Sequence, residues 1–271
     1  MTDMTIHAGP AARNRLSTQQ IFWQSAIGIL VLVPITLVAM IGEDRILNGI
    51  NLWVKPLKFQ ISVALHVMTL AVLLRLVAPA ALERWWLRAV VWACAISAVF
   101  EVVYITLQAG RGRHSHFNDQ TVVEQALYGA MGIGAVILIG AAAVIGLLVL
   151  LRPRSGLGQG LRWGAGLGLI LGFVATLIVA GYMSGIGGHW VGGSPTDAGG
   201  LPIVGWARDG GDLRVPHFFA THLMQVLPVV GWAADRWTRR PVTAVAGTAA
   251  LGMVLVIATF LQALAGQPFL G

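Results

Sequence analysis

Cysteine is almost missing from this sequence. Cys94 stands alone, which excludes a disulfide within the chain, a cysteine-built zinc site and an iron–sulfur cluster, and its place inside a hydrophobic run reads as a core thiol. Charge is scarce too: 11% of the 271 residues are Asp, Glu, Lys or Arg, against roughly 25% in soluble domains. With 56% hydrophobic residues and a mean hydropathy of +0.76, the composition is that of an integral membrane protein. Short alternating strands are absent, which argues against a β-barrel. Acidic residues are outnumbered 11 to 18 by Lys and Arg, for a net charge of +7. No basic and aromatic platform accompanies that excess, so no nucleic-acid partner is expected.

What the chain does have is long apolar runs. Seven of them, at about 21–41, 57–78, 85–108, 121–151, 161–184, 215–234 and 241–265, approach the ~20 residues that cross a bilayer. They predict an all-α bundle of seven transmembrane helices, forming one domain over 21–271 behind a loose tail at 1–20. The first run is longer than a secretory h-region and lacks a small-residue cleavage site, so it reads as a retained helix. Placed on alternate sides, the Lys and Arg residues divide eleven to seven in favour of the side that holds the N-terminus. The positive-inside rule then puts the N-terminus in the cytoplasm and the C-terminus outside. Richness in Ala, Gly and Arg suggests a bacterial inner membrane.

The outer loops are longer than the inner ones. The longest, about 185–214, carries Gly, Pro, Asp, Trp190 and Trp206; a loop of that length is expected to be functional, as a lid or as the docking point of a membrane protein partner. Histidine follows the same asymmetry: His114, His116, His189, His217 and His222 lie in or just below the outer loops, and His66 inside the second run.

Four runs present polar residues at helical spacing: Lys58, Ser62, His66 and Thr69; Ser97, Glu101, Tyr104 and Gln108; Thr121, Glu124 and Tyr128; and Arg214, His217, Thr221 and Gln225. Each set shares one helix face. Counted from the outer ends at 1.5 Å per residue, His66, Glu101 and His222 all fall roughly 10–12 Å deep. Ionisable groups at that depth face a bundle interior or a water-filled cavity, so the stripes predict a His/Glu pocket opening outward. The small residues of "YGAMGIG", from Tyr128, offer a face for close packing.

Imidazoles in such a pocket suggest a redox or metal-dependent membrane enzyme acting on a small lipophilic or anionic substrate, such as a quinone or a lipid. In one version His66 and His222 are axial ligands of haem b, with Lys55, Lys58, Arg111, Arg113 and Arg214 pairing with its propionates. In another a divalent transition metal (Zn, Fe or Cu) is held by His66, His217 and His222, with His116 and His189 as further ligands. Glu101, Glu124 and Tyr128 are then the candidate catalytic acid–base groups. Ser62, His66, Glu101, His217 and His222 together resemble the site of the seven-helix zinc hydrolases that include alkaline ceramidases and adiponectin-type receptors. The resemblance implies a zinc-dependent hydrolase, although Glu stands where that family has Asp and the late His pair is spaced by four residues instead of three. A cofactor-free proton or ion relay, or a membrane subunit of a larger complex, is the remaining alternative.

Overall fold

The protein is represented by a computed structural model that describes residues 16–271. It is 71% helical. The expected tail falls mostly outside the described residues; Ser17 already caps helix α1, its hydroxyl accepting from Gln20 N while the Gln20 side chain accepts from Ser17 N, a reciprocal pair that satisfies two otherwise unpartnered donors.

The first run is a single span broken in its middle into α1 (Thr18–Leu30) and α2 (Leu32–Gly42). Pro34 lacks the N–H that would bond Leu30 and its ring crowds that carbonyl, which accounts for the break. A two-residue hairpin follows, β1 (Ile46–Leu47) with β2 (Ile50–Asn51). Its turn is Asn48-Gly49, with φ of 54° and 82°, the pair of left-handed residues that a tight hairpin requires.

Next come α3 (Val54–Leu73), the short α4 (Pro79–Leu82), α5 (Trp85–Gly110), α6 (Val122–Leu151) and α7 (Gln159–Gly185). Beyond α7, β3 (Trp190–Val191) pairs antiparallel with β4 (Gly211–Asp212), and the chain ends in α8 (Arg214–Trp237) and α9 (Pro241–Leu264). Among the described residues, six stretches are long and apolar enough to cross a membrane: Thr18–Gly42, Val54–Leu76, Trp85–Gly110, Val122–Leu151, Gln159–Gly185 and Pro241–Leu264. The chain is thus a helical, multi-pass membrane protein. Helix α8, expected as a further span, is long but not among the six, because Arg214, His217, His222 and Gln225 dilute its apolar residues.

Two groups of helices meet at α6. In one, α1, α3 and α5 pack around Phe22, Ala64, Val67, Val91 and Cys94, and α6 joins through Leu138, Ala142 and Ile145. In the other, α8 lies between α7 and α9. Glycines at 160, 164, 168 and 172 make a ridge along α7 on which α8 sits. A Cβ at the first three would collide with the carbonyl oxygens of Gly231, Leu227 and Leu223, and at the fourth with the Met224 side chain. Small residues at this spacing let two backbones approach closely in a membrane. The Asp235 carboxylate of α8 closes the joint by accepting from Gly160 N at 2.7 Å and Leu161 N at 2.8 Å, occupying the donor-rich start of α7.

The ends of the bundle differ. At one, Ala78 N donates to Arg152 O at 2.8 Å and Arg154 N to Leu76 O at 2.7 Å, while Arg88 Nη1 donates to Leu16 O. At the other lie the hairpin, the 111–121 loop and the long 186–213 loop, with Phe269 beyond α9 against Trp206.

Candidate functional site

The polar face of α5 is buried as its spacing predicts: Ser97, Glu101, Tyr104 and Gln108 are all withdrawn from solvent. Gln108 Nε2 donates to Tyr104 OH and to His114 O, both at 3.2 Å, and Arg111 Nη1 donates to Gln108 Oε1. These bonds turn the 111–121 loop back over α5, placing His116 above Glu101. His116 Nε2 stands 3.9 Å from Glu101 Oε1, too far for a direct hydrogen bond and near enough for a bridging water or ligand oxygen. The imidazole is walled by Phe59 of α3 at 5.3 Å and Tyr128 of α6 at 6.2 Å between ring centres. Phe117, the next residue, is left-handed at φ 53°, a costly conformation for an aromatic residue that directs His116 inward.

Glu124 is engaged elsewhere. Its carboxylate accepts from Arg113 Nη1 at 2.6 Å and from the Thr121 hydroxyl, while Thr121 caps α6 by accepting from Glu124 N. These contacts anchor the 111–121 loop. Tyr128 OH meets Ser184 Oγ of α7 at 3.1 Å.

The long loop is folded across the same end. Asn48 O, at the hairpin tip, accepts from Asp197 N at 2.9 Å and Thr196 Oγ1 at 3.0 Å. Arg214 Nη1 donates to Asp197 Oδ1 at 2.6 Å and Nη2 to Asp212 Oδ2 at 2.7 Å. Lys58 Nζ and Arg214 Nη2 take consecutive loop carbonyls, Val204 at 2.9 Å and Gly205 at 2.8 Å. His189 is thereby carried to the site, stacked on Trp190 at 3.7 Å, its Nε2 lying 3.8 Å from Asp197 Oδ1.

The electrostatics tie these groups together. Burial first, and then the charges of Lys55, His217 and His189, hold the His116 imidazole well below its ordinary pKa of about 6.5. His189 is lowered by burial, against the pull of Asp197; His114 is lowered by burial and by Lys55. Burial alone would raise the Asp197 carboxyl, but His189 and Arg214 together carry it below its ordinary value. The Lys55 ammonium lies over the Phe59 ring at 5.9 Å and faces a cleft lined by Asn48, Arg113, His114 and Asp197.

Of the candidate residues, Glu101 and His116 face each other, and Lys55, His189 and His217 lie near enough for their charges to act on His116. Three of their buried atoms, Glu101 Oε2, His189 Nε2 and His217 Nδ1, have no hydrogen-bond partner among the described residues. The deeper histidines are arranged differently. His66 Nε2 is 3.3 Å from Leu138 O of α6, and His222 folds along its own helix, Nδ1 2.7 Å from Phe218 O and ring 3.9 Å from the Phe218 ring. No hydrogen bond or ring contact joins them among the described residues. Nor, among the described residues, are three His, Cys, Asp or Glu side chains placed to hold a metal ion.

Asp197 and Asn48 complete the site without having been singled out from sequence, and Trp190, expected there as part of the long outer loop, stacks on His189. The hairpin was legible in "NG" between apolar residues; the pairing of Asp197 with Arg214, 17 residues apart, carried no local signal. Comparison with protein-family models, with curated proteins and with solved structures finds no match to this chain.

Proposed function

We propose that this chain is a seven-helix membrane enzyme that performs acid–base chemistry on a small polar or anionic head group, in a histidine–glutamate chamber at the outer end of the bundle. Counting α8 as the seventh crossing is supported by the termini: Leu16 bonds Arg88 at the arginine-rich end, and Phe269 packs on Trp206 at the other. That arginine-rich end is the cytoplasmic one by the positive-inside rule.

The observation that carries the reading is the set of three unpartnered polar atoms, Glu101 Oε2, His189 Nε2 and His217 Nδ1. Each unpaired buried group costs about 1–3 kcal/mol, so a cluster of them beside Lys55 calls for a ligand that bonds them all. A carboxyl and an imidazole 3.9 Å apart can give and take a proton through one bridging oxygen. Lys55 supplies a counter-charge for an anionic head.

A second reading is a divalent transition metal, which would need His116, His189 and His217 to draw closer than they stand here; the two imidazole nitrogens that lack partners favour it. Elemental analysis and an ultraviolet–visible spectrum of detergent-purified protein come first: near-stoichiometric zinc, iron or copper would select the second reading. Without metal, the thermal midpoint is measured with octanoate as the anionic probe. The chamber reading expects a rise in the wild type that Lys55→Ala and Glu101→Gln both lose, and an unchanged wild-type midpoint overturns it.

A further inference from the structure

The cleft between the hairpin and the 111–121 loop holds two groups of opposite charge that do not meet. Its volume is about 40 Å³, room for about three waters, and Lys55 and Asp197 both line it. Among the described residues no ion pair joins them.

Lys55 enters from the first turn of α3. Its ammonium lies over the face of Phe59 at 5.9 Å and, among the described residues, donates to no carboxylate or carbonyl. The neighbouring cations are already engaged: Arg113 by Glu124 at 2.6 Å, Lys58 by the Val204 carbonyl, and Arg214 by Asp197 and Asp212. Asp197 is engaged on one side only. Its Oδ1 accepts from Arg214 Nη1 and lies 3.8 Å from His189 Nε2, while Oδ2 accepts from no donor among the described residues. The guanidinium beside it is shared, because Asp212 accepts from both Arg214 Nε and Nη2. A carboxylate so placed keeps lone pairs for a second cation.

The walls that carry these two groups are fixed against each other. Asn48 O accepts from Asp197 N and from Thr196 Oγ1, and a Cβ at Gly49 would stand 2.6 Å from Thr196 Oγ1, so the hairpin tip presses on the loop without slack. Beneath them the floor is apolar, formed by the buried Leu52, Pro56, Ile105 and Ala109. An ammonium and a carboxylate held apart over an apolar floor complement a short carbon chain charged at both ends. A ligand with one charge leaves the other protein group unmatched, whereas a zwitterion gives each a charge-assisted hydrogen bond.

We infer that the cleft binds a small free amino acid from the aqueous side, its carboxylate on Lys55 Nζ, its ammonium on Asp197 Oδ2 and its carbon chain over Leu52 and Ile105. The inference rests on the chamber reading and names its substrate class, the anionic head being one end of a zwitterion. A phosphoethanolamine lipid head carries the same two charges; the position of the cleft among the hairpin and the outer loops favours the dissolved species.

The test titrates the thermal midpoint of the full-length, detergent-purified protein with β-alanine and 4-aminobutyrate, and with propionate and propylamine as controls that carry one charge each. Either amino acid should act at a concentration about tenfold below both controls. Lys55→Gln should bring β-alanine to the level of propylamine. Asp197→Asn, which keeps the Arg214–Asp212 pair, should bring it to the level of propionate. Propionate acting on the wild type as well as β-alanine overturns the zwitterion; octanoate still stabilising the wild type and not Lys55→Ala in the same preparation would show that the chamber reading survives that failure. No response to octanoate or to either amino acid overturns both. Glycerophosphoethanolamine acting at lower concentration than the amino acids assigns the two contacts to a lipid head and overturns the free amino acid.

Discussion

Arg214 Nη1 donates to Asp197 Oδ1 at 2.6 Å while the same guanidinium holds Asp212 at 2.7 Å, so one side chain at the start of α8 fastens both the middle and the end of the 186–213 loop. Asp197→Asn leaves the Asp212 half intact. The variant should close the loop less firmly by about 1 kcal/mol, a moderate figure because Arg214 is a quarter exposed and keeps one partner. Limited proteolysis checks this, with cleavage between residues 192 and 210 several-fold faster than in the wild type; an unchanged rate would show the latch to be idle.

Acid should open the same loop. His116 and His189 titrate below 6.5 when the site is closed, so the open state binds more protons as the pH falls through 6.5. Closure is therefore fully stable above that value and weakens below it, which is the sign required when the folded state disfavours the charged imidazole. Asp197, itself depressed, stays ionised throughout that range and loses its contribution only at far lower pH. Hydrogen exchange of the loop at pH 5.5 and 7.5 should differ in the wild type and differ less in His116→Gln.

The joint between α7 and α8 depends on the absence of a side chain. Gly164→Ala drives a methyl into Leu227 O, whereas Gly181 has nothing within 4 Å of its would-be Cβ. Overpacking of this kind costs on the order of 1–3 kcal/mol. The thermal midpoint of Gly164→Ala should fall and that of Gly181→Ala should not, and equal midpoints would mean that the helices shift apart freely.

The two histidines of α8 should separate by function. His217→Ala is expected to abolish stabilisation by octanoate. His222→Ala, whose imidazole bonds its own helix, should leave that stabilisation within about twofold. Equal losses in both would place the head group deeper than the chamber.

Sidedness has its own check. Asp119 and Arg154 are both exposed, at opposite ends of the bundle, and Cys94 is buried. An impermeant maleimide on intact cells should label Asp119→Cys and not Arg154→Cys, with little background from the native thiol; the reverse pattern would invert the orientation.

The spans were legible because hydropathy and length act locally, and so was the buried stripe of α5, which follows from spacing alone. Position along a helix was legible in the same way. Azimuth was not. Five residues turn a helix by about 140°, so His217 and His222 point to different faces, and the packing of α8 on the α7 glycines decides which of them faces the chamber. That ridge was itself readable in the four-residue spacing from Gly160 to Gly172, a sign of close approach that apolarity counts pass over. Glu124 shows the opposite case: spacing alone did not reveal that its carboxylate is held by Arg113 and Thr121 at the start of α6.

Thr69 and Gln225 bridge two helix groups that also meet through α6 and through Met224 in the shared core. Lys55 and Glu101 ride on one group, His217 and Arg214 on the other. The chamber is therefore built across a seam, and the bonds that cross it, Thr69–Gln225 within the bundle and Asn48–Thr196 above it, set how far its two sides stand apart.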